Sequence, residues 1–167
     1  MSTLVSPVKI PGRVNWCLRD KYGRIKRRGV VHNLIGDVGD NYVASRIYSA
    51  AALWTYGMKL DNRATAATKN GAASYSGTGF YITGSAHAMD GTYPKVGVSN
   101  NIAQWKCTWS GVALASINSV SLTDNTTDAF EADQTHTFSR AVLASIPITL
   151  GTSDTLAVTW TATFTGA

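Results

Sequence analysis

The chain has 167 residues, enough for one domain with its own core and short for two. Hydrophobic residues make up 44%, which argues against disorder, while charged residues make up only 15%, against roughly 25% in an average soluble domain. The net charge of +5 is lopsided: residues 1–28 hold eight of the fifteen Lys and Arg against Asp20 alone, so this segment carries +7 and the remainder −2.

Pro7 and Pro11 mark residues 1–12 as an extended arm or edge strand, ahead of a single β-rich domain over 13–167. Such an arm can add itself to the edge of a partner's sheet. In "RVNWCLRDKYGRIKRRGVV", Val14, Trp16 and Leu18 alternate, "DKYG" supplies a turn, and Ile25 leads a return strand carrying Arg24, Lys26, Arg27 and Arg28. Next, "HNLIGDVGDNYVASRIYSAAAL" has capping residues and helical spacing, which predicts one α-helix over about 37–51 with Val38, Tyr42 and Ile47 on its core face.

"LWTYGMKL" returns to a strand pattern, and residues 61–79, small, polar and without period, form a long loop. After residue 100 four strands are expected. "NIAQWKCTWS" sets Ala103, Trp105, Cys107 and Trp109 against Gln104, Lys106 and Thr108. "ASINSVSLTD" breaks its alternation once, at a bulge, and "THTFSRAVLASI" follows. In "DTLAVTWTATF" Leu156, Val158, Trp160, Ala162 and Phe164 point to a core, and threonines line the other face. Turns at these intervals with one early helix describe a mainly β chain, an antiparallel sandwich or jelly roll. Glu131, the only glutamate beside nine aspartates, also argues against a helix-rich fold. Most of those aspartates, Asp20, Asp61, Asp90 and Asp154 among them, stand where turns are expected.

Residue types that carry chemistry are scattered. No G-x-S-x-G or nucleotide-binding glycine pattern occurs, and His32, His87 and His136 are isolated from one another, so neither a catalytic site, a metal site nor a cofactor is expected. Asp128, Glu131 and Asp133 lie together in a stretch that reads as a solvated connection. Cys17 and Cys107 both sit in strand alternations and are expected as buried free thiols. The N-terminus lacks the apolar core of a signal peptide, and no run is long enough to span a membrane, so synthesis in the cytoplasm is expected. The basic hairpin is expected to dock on an acidic protein surface, or to be an exposed hairpin whose charges keep an edge from aggregating, rather than to bind nucleic acid, because no nucleic-acid-binding module accompanies it.

"LRDKYGRI", "HNLIGDVGDNYVASRIY" and the closing "FSRAVLASIPITLGTSDTLAVTWTATF" together resemble a diffuse group of small structural proteins of tailed bacteriophages. The likeness covers both ends, about half the chain, and residues 61–100 match little of it. It implies a non-enzymatic virion protein: foremost a head decoration (cement) protein bound to the major capsid protein, and next a tail- or fibre-associated component. In the second role Trp54, Tyr56, Tyr75, Tyr81 and Tyr93 would stack on sugars; a β-sandwich hydrolase comes third. Homo-oligomers, often trimers, are common among such decorators. The docking surface is expected at Lys9, Arg13, Arg24, Lys26, Arg27 and Arg28.

Overall fold

The computed structural model describes residues 11–35, 57–65, 81–97, 101–123 and 137–164. Among these residues there are eleven strands and no helix, and every sheet pairing is antiparallel. The helix expected over 37–51, the loop beyond residue 65, Lys9 and the arm before Pro11 lie outside the described residues.

Strands β1 (Gly12–Arg19) and β2 (Ile25–Ile35) form the expected hairpin. Val14, Trp16 and Leu18 are buried on its inner face, as their alternation requires. Asp20 builds the turn: its carboxylate accepts the backbone N–H groups of Tyr22 and Arg24, and Gly23 takes a left-handed conformation with φ 79°. β11 (Thr155–Thr163) is central, paired with β1 on one side and β6 (Ile102–Ser110) on the other. Its Leu156, Val158, Trp160 and Ala162 are buried, whereas Phe164 is only half-buried, because the strand ends at Thr163. The opposite face, Thr155, Ala157, Thr159, Thr161 and Thr163, is half-buried.

Six strands follow residue 100, two more than the alternation predicts. β7 (Leu114–Ile117) pairs only with β10 (Ile148–Leu150), and β8 (Ser119–Thr123) belongs to the large sheet. The break in "ASINSVSLTD" is therefore a crossing between two sheets at Asn118, with Ser116 at φ 59° just before it. The large sheet has nine strands in the order β4-β3-β8-β9-β2-β1-β11-β6-β5. Here β3 is Gly57–Asp61, β4 His87–Ala88, β5 Lys95–Val96 and β9 Thr137–Val142.

The sheet curls until β4, at one end of this order, reaches β6 near the other. The Asp90 N–H donates to the Lys106 carbonyl at 2.9 Å, the Trp109 indole donates to the Ser85 carbonyl at 2.7 Å, and the Cys107 thiol faces the carbonyls of His87 and Ala88. One hydrophobic cluster fills the interior, with Trp16, Trp109, Trp160, Met58, Val120 and Ile148 among its members. Cys107 lies in this core, and burial pushes its thiol up to about 12, so it stays protonated at neutral pH. Cys17 pairs with Ala157, whereas Cys107 pairs with Val158, which places the two thiols on opposite faces of the sheet; both are free, but Cys17, on the outer face, is half-buried rather than buried.

Candidate docking surface

The β1–β2 hairpin carries Arg13, Arg19, Lys21, Arg24, Lys26, Arg27 and Arg28 against Asp20 alone. Strand geometry sorts these charges into groups that the sequence does not separate. Arg28 stands opposite Cys17 and Arg13 opposite Thr161, both on the outer face away from the core. Both are exposed, and neither side chain has an ion-pair or hydrogen-bond partner among the described residues. Half-buried Asn15 and Cys17 and exposed Val30 lie between them. Asn15, Cys17, Arg19, Ile25, Arg28 and Val30 are among the residues that line a shallow depression there of about 610 Å³.

Arg24 lies at the turn, 2.7 Å from Asp20, with 75% of its side chain exposed. Desolvation pushes the Asp20 carboxyl up, but the combined hydrogen bonds from Arg24 and Tyr22 hold it below its usual value. Tyr22, 70% exposed, has Lys21 and Arg24 over its ring. Lys26 sits at the register shift beside Arg19 and meets Asp154 at 2.7 Å. That hydrogen bond, with another from the Gly151 N–H, lowers the Asp154 carboxyl below the ordinary aspartate value.

Arg27 differs from its neighbours. Paired with Leu18, it lies on the inner face, 5.7 Å over the Trp16 ring, and donates to the carbonyls of Ile146 and Pro147. It closes the end of the core. Of the expected docking residues, then, Arg13, Arg24 and Arg28 face solvent, Lys26 is tied to Asp154, and Arg27 is structural. They form a stripe rather than a knot: Arg13 and Arg19 alone stand about 20 Å apart along β1.

A second charged group was not legible in the sequence. Strands β3, β8 and β9 are buried on both faces. The side away from the core carries Lys59, Asp61, Ser119, Ser121 and Arg140, cross-strand neighbours in register, with Arg63 beside them. The Asp61 carboxylate accepts the Arg63 N–H and receives its guanidinium through Nε at 2.7 Å and through Nη2. Arg140 donates to the Thr65 carbonyl, and the Tyr81 hydroxyl meets Thr137 Oγ1 at 2.7 Å. Burial pushes the Tyr81 phenol up, against the opposing effect of that hydrogen bond. Asp61, expected to mark a turn in a polar loop, does accept the backbone N–H two residues on, but as a fully buried anchor at the end of β3. Period-two alternation says that two faces differ; it does not say that a polar face is covered.

Among the described residues no three His, Cys, Asp or Glu side chains converge as a metal site, and no helix is long and apolar enough to cross a membrane. His87 packs edge-on to Trp109 at 5.6 Å, and His32 is exposed on β2. No family model, curated protein or solved structure matches the chain.

Proposed function

We propose that the chain is a non-enzymatic structural protein of a tailed-phage virion, a head decoration protein that docks on the major capsid lattice through its basic hairpin. The observation that carries this proposal is the exposed cation excess of the hairpin: Arg13 and Arg28 on the outer face and Arg24 with Lys21 at the turn, opposed by Asp20 alone. Such a surface steers a protein toward an acidic partner. The likeness of the closing "FSRAVLASIPITLGTSDTLAVTWTATF" to small phage structural proteins supplies the virion context. On this proposal the curled sheet is a sandwich of jelly-roll kind, its layers being β5, β6, β11 and β1 against β3, β8 and β9, with β2 passing between them.

A sugar-binding tail component gains no support from the aromatic side chains. Tyr81 is buried and Tyr93 is half-buried beneath Lys95, while Trp54, Tyr56 and Tyr75 lie outside the described residues. The distinguishing experiment is stoichiometry in purified virions by quantitative mass spectrometry. A decoration protein is present in hundreds of copies per particle; a few copies would assign the chain to the tail.

A further inference from the structure

Strand β2 is paired with β1 from Ile25 to Asn33, with Lys26 left over at the register shift, but with β9 only at Leu34↔Arg140 and Ile35↔Ser139. The reason lies in the chain that follows β9. Continued antiparallel pairing would bring Leu143 opposite Val31. Instead the N–H groups of Leu143 and Ala144 both turn to the Asn118 carbonyl, at 2.7 and 3.4 Å, and the Leu143 carbonyl accepts the Trp16 indole. β9 is thereby drawn away with β8. Among the described residues nothing pairs with the far edge of β2 between Ile25 and Asn33.

This edge is open to solvent. Ile25, Lys26, Arg28, Val30 and His32 are exposed, and Gly29, which has only backbone to show, remains partly exposed. Residues 143–147 run beneath it on the core side, where Arg27 reaches the carbonyls of Ile146 and Pro147, and Ile146 is 69% exposed. A free edge of this length is a template for another strand.

We infer that the Ile25–Asn33 edge of β2 accepts an extended, acidic segment of the partner protein as an added strand. Backbone hydrogen bonds supply the affinity. An incoming carboxylate meets Arg28 on the outer face, and apolar residues of the same face of that strand meet Val30 and Ile25 in the depression there. Charge complementarity selects the occupant: β1, its turn and β2 hold seven cations and one acid, and that acid is taken by Arg24. A strand bearing lysines is repelled here, and this includes a second β2 edge from another copy. The inference rests on the docking role proposed above and specifies what it grips.

The test uses the whole protein and an eight-residue peptide of repeating Glu-Thr-Val-Thr, capped at both ends, which sets glutamate and valine on one face of a strand. Amide hydrogen exchange should slow over Arg27–Asn33 when the peptide binds and stay unchanged in β6. The same peptide N-methylated at alternate residues keeps its charges but cannot complete the ladder, and should bind at least about tenfold more weakly. A lysine-for-glutamate peptide should not bind. Equal binding by the methylated and unmethylated peptides would overturn the inference, since charge alone would then suffice. So would an absence of binding at low salt, which would make the edge charges a guard against aggregation only. Attachment of the wild-type protein to undecorated shells, measured in parallel without peptide, reads the docking role separately.

Discussion

Trp16 and Gly29 face each other across the β1–β2 hairpin, and the indole occupies the space that any side chain at position 29 would need. A Cβ built on Gly29 would lie 2.6 Å from Trp16 Nε1, the atom that donates to the Leu143 carbonyl at 3.1 Å. The absence of a side chain on β2 is what lets β1 reach through to the chain beyond β9. Gly29→Ala should therefore displace the ring, break that hydrogen bond and destabilise the fold by about 1–3 kcal/mol. Urea unfolding measures the loss, and near-ultraviolet dichroism should show a changed tryptophan environment.

Arg27 and Arg28 are neighbours in sequence with opposite duties. Arg27→Ser removes a guanidinium laid on Trp16 and two contacts to backbone carbonyls, and should cost about 1–2 kcal/mol. Arg28→Ser alters an exposed side chain and should stay within about 0.5 kcal/mol of wild type. Chemical denaturation of the two single variants checks the difference; equal stabilities would contradict the inward placement of Arg27.

Asp61 and Arg63 form a buried ion pair at the end of β3, with side chains 0% and 8% exposed. Asp61→Asn leaves a guanidinium buried without its carboxylate, a change that costs about 3–5 kcal/mol when a buried pair is broken from one side. The expected result is a large fall in the urea midpoint. A midpoint within error of wild type would show that Arg63 swings to solvent at no cost.

Asp154 links acid stability to the hairpin. Its carboxyl is held below the ordinary value chiefly by the Lys26 hydrogen bond, so it stabilises the fold at pH values above that of a free aspartate, and this contribution is lost as pH falls through its lowered folded value. At pH 7 the wild type should therefore be more stable than Asp154→Asn. The gap should close as pH falls below about 4, where the unfolded chain takes up its proton first. Thermal melts of both proteins between pH 7 and pH 2 give the comparison.

These features differ in how far the sequence discloses them. Trp16, Cys107, Trp109, Leu156, Val158 and Trp160 were legible as core because period-two alternation fixes which residues share a face, and one face of β1, β6 and β11 is apolar throughout. Asp61, Arg63 and Arg140 were not, because a charged residue on a strand reads as solvent-facing unless something outside the strand covers it. Arg27 could not be told apart from its basic neighbours for a different reason. The register shift between Leu18 and Arg19 adds Lys26 as an extra residue on β2, so the face of each basic residue there depends on pairing that the chain itself does not spell out. The divergence of β9 from β2 has a similar origin, since it depends on Asn118 offering a carbonyl to residues 25 and 26 positions further along.

The docking role stands or falls on the binding of one variant to undecorated shells. Arg13, Arg24 and Arg28 are replaced by Ser, and Lys26 and Arg27 are kept because Asp154 and Trp16 need them. Exposed charges contribute little to stability, so the variant should unfold like wild type. Its attachment should be weaker and slower to form, and wild-type attachment should itself weaken as salt screens charges beyond roughly 8 Å at physiological strength. Wild-type occupancy by the folded variant, unchanged across the salt series, would contradict the account.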